Sequence, residues 1–224
     1  MLGAPLSAII FAVLRRWSAA GLAALLTAAT AGVQLPRYLR TNAKATDSVG
    51  VRVISANLRY GRADPDALVR LARQHADILA VQELTPDLAD RLSAAGLDDT
   101  FPFHALRDRE GPAGVGIWSR YPISRSSVDE SFWLGLLTAH VRIPDVKAET
   151  TIVVTHLDAP WPNPLSGWRA DLDRLSATLQ QIARTAGDDS VVLAGDLNST
   201  PDIREFRRLL RVVIKTRPSR PARG

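Results

Sequence analysis

Four short apolar runs in this chain each stop on a polar side chain, and the segments between them carry helical patterns. The runs are Val51 to Asn57, Asp77 to Glu83, Thr151 to His156, and Val191 to Asp196. Runs this short and rich in Val, Ile and Leu read as strands, with buried sides where no polar residue interrupts them. One polar ending is unremarkable, because a strand leaves the core somewhere. Four that alternate with helices can converge on one edge of a sheet, where α/β folds place their sites. The fold class read from this order is α/β.

The intervening segments support that order. Asp64-Pro65-Asp66 caps a helix through about Gln74, with Leu68, Val69 and Leu71 on one side. Pro86 to about Ala95 is a second short helix, and Trp168 to Ala183 is a long one with Leu172, Leu175, Leu179 and Ile182 at helical spacing. Gly114 to Ser119 and Leu134 to Ile143 have the spacing of an antiparallel meander. After Gly195, the stretch Thr200-Pro201-Asp202 opens a further helix, Pro201 being suited to a first turn. The globular domain is expected over 51–210, preceded by a polar linker over 36–50.

The N-terminal 35 residues are of another kind. An apolar stretch over 2–14 precedes Arg15-Arg16, and a second uncharged run of 19 residues extends from Trp17 to Leu35. A helix needs about 20 apolar residues to cross a bilayer. The expectation is a membrane anchor, with a cleaved signal ending near Ala29-Thr30-Ala31 as the alternative. By the positive-inside bias, Arg15-Arg16 stays in the cytoplasm and the domain faces the extracytoplasmic side, membrane-bound or secreted.

Cysteine is absent, which excludes disulfides and thiolate metal sites. The net charge of +5 suggests nucleic-acid binding until its placement is considered. Seven positive charges follow position 206 with no acid among them, and removing those seven from +5 leaves −2. Bulk charge is therefore poor evidence for a nucleic-acid partner.

The residue types at the four strand ends fit one chemistry. Glu83 is a hard oxygen ligand suited to Mg²⁺ or Mn²⁺, which needs one or two protein carboxylates and otherwise keeps waters and substrate phosphate. Asn57 adds a neutral oxygen at the same metal or positions a water. Asp196 and Asn198 leave an extended backbone on the same side, where a carboxylate takes a water proton and a carboxamide holds a phosphate oxygen. His156 stabilises charge on the phosphoryl oxygens. Metal-assisted hydrolysis of a phosphate ester uses all of them. Each also has a structural alternative: Asp196 and Asn198 as satisfiers of a local turn, His156 as a hydrogen-bonded structural histidine, and Glu83 as a cap partner or rim residue. Trp161, Trp168 and Arg169 belong either to a loop over the site or to packing.

Five segments in order resemble the endonuclease/exonuclease/phosphatase family, the fold of deoxyribonuclease I and of exonuclease III-type repair nucleases. They are Ser55-Ala56-Asn57-Leu58, Asp77 to Glu83, Gly116-Ile117-Trp118-Ser119-Arg120-Tyr121-Pro122-Ile123, Thr155-His156-Leu157, and Gly195-Asp196-Leu197-Asn198-Ser199-Thr200-Pro201. The resemblance implies a two-sheet αββα sandwich with the site at the top of both sheets. It implies Asn57 and Glu83 at a divalent metal, His156 at the scissile phosphate, and Asp196 and Asn198 activating water and holding phosphate. The implied substrate is a phosphate ester (nucleic acid, phospholipid or inositol phosphate), and the chain is expected to act as a monomer. An N-terminal membrane segment is similar to that of a group of bacterial envelope members.

The chain also departs from that pattern. Family members close on a Ser-Asp-His motif, whereas His156 is the last histidine here and the sequence after Leu210 turns to Arg and Pro. The expectation is a C-terminally truncated copy, incomplete in its sheets, with a basic, disordered tail over 211–224. Two functions stay open: a phosphodiesterase or nuclease, and a non-catalytic remnant that binds a phosphorylated ligand or protein.

Overall fold

The computed structural model describes residues 9, 10, 13, 17–38, 49–186 and 190–215. It divides into two compact units, Met1–Ser48 and Val49–Gly224.

In the first unit a helix, α1, spans Trp17–Tyr38. Alanine-rich sequence forms helix readily, and Thr27 and Thr30 satisfy their hydroxyls by donating to the carbonyls of Ala23 (2.8 Å) and Leu26 (2.7 Å). The expected membrane anchor is not supported. Among the described residues no helix is long and apolar enough to cross a membrane. The reason lies in composition: Ala, Gly and Thr dominate α1, and these residues favour a helix without supplying the large apolar side chains a bilayer core demands. The remainder of the expected anchor, over 1–8, 11, 12 and 14–16, lies outside the described residues, as do 39–48 of the linker.

The second unit is built on two four-stranded sheets. In chain order its elements are β1 (Val53–Asn57), α2 (Pro65–His75), β2 (Ile78–Gln82), α3 (Pro86–Ala94), α4 (Leu97–Thr100), β3 (Phe103–Arg107), β4 (Val115–Ser119), β5 (Ile123–Val128), β6 (Leu136–Val141), β7 (Thr150–His156), α5 (Leu165–Ala186), β8 (Ser190–Asp196) and α6 (Arg204–Lys215). The first sheet runs β1-β2-β4-β3 and the second β5-β6-β7-β8. β1 and β2 are parallel, joined through α2; β7 and β8 are parallel, joined through α5. The remaining pairs are antiparallel.

Side-chain alternation builds three layers of core. Leu79 and Val81 of β2 face out onto α2 and α3, while Ile78 and Ala80 face inward. In β7, Ile152 and Val154 point between the sheets and Val153 points toward α5. Both strands are buried along their whole length, which is why they read as unbroken apolar runs. The layering is helix, sheet, sheet, helix: the αββα sandwich that the resemblance implied.

Helix starts follow their capping residues. The Asp64 side chain accepts from the amides of Asp66 (3.0 Å) and Ala67 (3.3 Å), with Pro65 in the first turn of α2. Thr85 accepts from the Leu88 amide (3.3 Å) at the start of α3. At the C-terminal side, α6 continues through Lys215. The domain edge drawn at 210 therefore falls inside a helix, and of the disordered tail expected over 211–224 the part over 216–224 lies outside the described residues.

Candidate active site

The two parallel pairs deliver their carboxyl ends to one place. In the second sheet His156 is the register partner of Asp196; in the first, Asn57 is that of Gln82, and Glu83 follows directly. Between the sheets the contact is direct: Asn57 Nδ2 donates to Glu83 Oε1 at 2.8 Å and to Asp196 Oδ2 at 3.0 Å. One carboxamide thus holds two carboxylates from opposite sheets.

The local backbone is bent to make this arrangement. Glu83 has φ +59°, and the turn after Asn57 places Arg59, Tyr60 and Gly61 at φ +52°, +57° and +71°. Left-handed backbone at non-glycine residues is costly and persists where surroundings impose it. Here it aims amides at the acceptors: Tyr60 N–H donates to Glu83 Oε2 (2.6 Å) and Arg59 N–H to Asn57 Oδ1 (2.9 Å). Asn198, at φ +44°, completes the set on the other sheet. Its amide N–H donates to Asp196 Oδ1 (3.0 Å), and its side-chain nitrogen donates to the Leu157 carbonyl (2.8 Å). Gly195 permits the close approach of β8 to β7, since any Cβ there would run into the Thr155 carbonyl oxygen.

His156 is only 5% exposed and lies inside this group. Its Nδ1 is 3.1 Å from the carbonyl oxygen of Pro112. A carbonyl only accepts, so Nδ1 carries the proton, and Nε2 is left facing Asn198 Nδ2 (3.5 Å) and Glu83 Oε1 (3.9 Å). Pro112 sits in the loop joining β3 to β4. That loop is fixed at Leu84, which donates to the Gly114 carbonyl (3.1 Å) and accepts from the Arg109 amide (3.1 Å). A Cβ at Gly114 would collide with the Leu84 carbonyl oxygen. Arg107, its side chain 9% exposed, secures the loop from below by donating to the Ala113 carbonyl and pairing with Glu130 at 2.7 Å. The hydrogen bond from Arg107 holds the Glu130 carboxyl below its ordinary range.

The five residues singled out from sequence, Asn57, Glu83, His156, Asp196 and Asn198, are thus neighbours in space. What sequence reasoning missed is the backbone: the amides of Arg59 and Tyr60, and the carbonyls of Pro112 and Leu157. Backbone groups leave no side-chain signature, though the cluster Gly111-Pro112-Ala113-Gly114 marks a tight loop. Trp168 resolves as packing, 2% exposed against the second sheet with its Nε1 near the Leu197 carbonyl (3.4 Å). Arg169 pairs with Glu205 at 3.5 Å, and Trp161 is 82% exposed.

Among the described residues no three His, Asp or Glu side chains stand close enough together to hold a metal ion unaided. A hard divalent cation asks less, since Mg²⁺ binds through one or two carboxylates and keeps waters. Glu83 and Asp196 supply two carboxylates that meet across a single amide and pair with no Lys or Arg among the described residues. Ser199 Oγ, next in chain to Asn198, is the buried side-chain atom without a partner among those residues. Such orphans occur where water, an ion or a reacting group is to be bound. The donor set fits Mg²⁺ or Mn²⁺. Asn57 is the weaker ligand, because its oxygen already accepts from Arg59 N–H.

The sequence over residues 54–215 matches the model of the Endonuclease/Exonuclease/phosphatase family. No curated protein sequence matches. Among solved structures, sphingomyelinase C from Streptomyces griseocarneus is similar with TM-score 0.56 and 20% identity, over 74% of this chain and 70% of that one. A variant of beta toxin from Staphylococcus aureus with bound magnesium ions gives TM-score 0.57 and 16% identity, over 74% and 70%. TDP2 from D. rerio complexed with single strand DNA product gives TM-score 0.56 and 21% identity, over 71% of this chain and 64% of that one. At these identities the likeness is one of fold.

Proposed function

This chain belongs to the Endonuclease/Exonuclease/phosphatase family, and from that premise we propose that it is a divalent-metal-dependent phosphoesterase acting on phosphodiesters. The observation that carries the reading is the contact of Glu83, Asn57 and Asp196 across the two sheets, with His156 and Asn198 beside it. In this reading Glu83, aided by Asn57, holds Mg²⁺ or Mn²⁺. The ion, when bound, polarises the phosphoryl oxygens and offsets their charge. Asp196 accepts a proton from water as the water oxygen bonds to phosphorus and the ester P–O bond breaks. Asn198 Nδ2 donates to the phosphoryl oxygens, as does His156 Nε2 when the ring carries a proton on both nitrogens, and Pro112 keeps the ring turned so that Nε2 points inward.

The similar proteins named above include a sphingomyelinase and one holding a DNA product, which supports a phosphodiester substrate over a monoester and leaves nucleic acid and phospholipid as the classes to compare. The same proposal places the domain outside the bacterial cytoplasm by the alternative of a cleaved signal ending near Ala29-Thr30-Ala31, behind Arg15-Arg16. Protease accessibility of the domain in intact cells expressing the full chain tests that placement; complete protection would exclude it.

The decisive assay is Mg²⁺-dependent hydrolysis of bis(p-nitrophenyl) phosphate by the full chain, beside Asp196→Asn and a chelated control, with melting curves for all. Activity abolished by both chelator and substitution is expected. A folded protein that binds phosphate esters without hydrolysing them would instead make it a non-catalytic binder.

A further inference from the structure

Away from the strand ends, a groove of about 270 Å³ opens on the outer face of the second sheet, between β5 and β6 on one side and the later turns of α5 on the other. Its position follows from packing. α5 seats Trp168, Leu172, Leu175 and Leu179 over β7 and β8, and among the described residues the β5 side of the sheet is left open as the groove. Beside the apolar Val128, Leu136, Ile182 and Ala186, polar residues face that gap: Arg125, Thr138, His140 and Thr151 from the strands, Thr178 and Thr185 from the helix. β5 to β6 register sets Arg125 opposite His140 and Ser127 opposite Thr138.

Two observations make this a built site. First, Thr138 is only 7% exposed and lines the groove. Second, the cation is oriented. Arg125 Nη2 lies 3.4 Å from His140 Nδ1, and Thr151 Oγ1 lies 3.1 Å from the same nitrogen. Arginine only donates, so His140 Nδ1 accepts, and this contact sets the guanidinium against β6. Threonine hydroxyls beside an oriented guanidinium, which also feels the Glu149 carboxylate, are donors an oxyanion can use. Asp129, four residues beyond Arg125 on the same edge, stands roughly 13 Å away at 3.3 Å per strand residue. It also lines the groove, which favours a ligand carrying a hydroxyl or amine at the end opposite its anionic group.

We propose that this groove is a second, non-catalytic site for a phosphate-class oxyanion, held by Arg125 and the hydroxyls of Thr138 and Thr178. It shares no residue with the cluster at the strand ends and does not depend on the reading given to that cluster.

The test is a titration of ¹⁵N-labelled full chain with inorganic phosphate at constant ionic strength, followed by amide shifts. Wild type and Asp196→Asn, Arg125→Met and Thr138→Val variants are compared. Saturable shifts at Thr138, His140 and Thr178 are expected, unchanged in Asp196→Asn. Arg125 is exposed, so Arg125→Met leaves the fold intact; it should weaken binding about tenfold, as loss of a charge-assisted hydrogen bond does. Thr138→Val, which keeps the shape, should weaken it less. Glycerol phosphate and vesicles containing phosphatidylglycerol, added separately, distinguish a free ligand from a lipid headgroup; Arg125-dependent binding of either supports the site. Absence of saturable binding by all three probes overturns it. So do shifts confined to Asn57, His156 and Asn198, or binding indifferent to Arg125→Met.

Discussion

In the first sheet, Glu83 and Asn57 are held by donors from their own surroundings, the Tyr60 and Arg59 amides of a left-handed turn. In the second sheet, His156 is held by a carbonyl that the β3–β4 loop of the first sheet carries across. Asp196 stands between these modes, anchored locally by the Asn198 amide and across the sheets by Asn57. The two parallel pairs are similar in construction and differ in what fixes their functional ends. The acidic end keeps its geometry whenever its own turn forms. The histidine keeps its geometry only while the two sheets stay in register.

The sharpest break of that comparison is Glu83→Gln. It removes one of two carboxylates while keeping an oxygen that can accept from Tyr60, so the turn should survive. Turnover is expected to fall about 10³-fold, with Mg²⁺ affinity lost in a calorimetric titration. Unchanged affinity would take Glu83 out of the metal role. Asp196→Asn, by contrast, should keep most of the metal binding and lose turnover, separating the two carboxylates.

Stability should also divide between the halves. Leu79 and Leu175 are both fully buried, Leu79 under α2 and α3 and Leu175 under α5. Truncating a buried leucine to alanine costs about 2–5 kcal/mol, least where the surroundings can collapse. β8, on the open edge of the second sheet, is buried only at Ala194. The layer around Leu175 therefore has more freedom to relax. Leu79→Ala should fall nearer the upper end and Leu175→Ala nearer the lower, read by urea unfolding. Equal values would mean that the two helix layers pack alike.

Arg107→Met addresses the crossing contact. Its guanidinium secures the loop that carries Pro112, so its loss should free the His156 ring without touching Glu83 or Asp196. Turnover should fall about tenfold, the scale of a lost charge-assisted hydrogen bond, with Mg²⁺ affinity unchanged. A loss of metal affinity in parallel would show that the loop supports the acidic end as well.

The sequence disclosed these halves unequally. Interior strands were legible because burial on both faces leaves an unbroken apolar run, as in Ile78-Leu79-Ala80-Val81 and Ile152-Val153-Val154. The strands that went unread, β3 and β5, lie at sheet edges. β5, Ile-Ser-Arg-Ser-Ser-Val, is exposed over most of its length, and no burial constrains its composition. The polar ends of the runs identified the site side chains, since a carboxylate or imidazole that stops a buried strand is visible as a change of residue type. Their supports were illegible because they are carbonyls and amides whose positions arise only once the loops fold. The membrane anchor, expected from run length, is not supported among the described residues, where Ala, Gly and Thr make up half of α1.

The smallest expected effect concerns the other end of the first pair. Asp77 precedes β2 and accepts from the Arg52 amide (2.8 Å), Nη2 (2.8 Å) and Nε (3.2 Å), tying the start of β1 to that of β2. The hydrogen bond to the Arg52 side chain holds the Asp77 carboxyl below its ordinary range, with burial opposing and the nearby Arg120 adding to the effect. A carboxyl whose folded pKa is depressed stabilises the fold above its unfolded value, about 3.9, and loses that contribution as pH falls through the folded value. Arg52 is 56% exposed along its side chain, so solvent screening limits the contribution to about 1 kcal/mol. At the equivalent register of the second pair, Thr150 faces Ser190, neither of them charged. Asp77→Asn should therefore cost about 1 kcal/mol at pH 7, and the gap from wild type should close below pH about 4. Urea unfolding across that range measures it. A gap that persists into acid would assign the staple to the backbone hydrogen bond from Arg52, which an asparagine oxygen can also accept in part, with its geometry impaired.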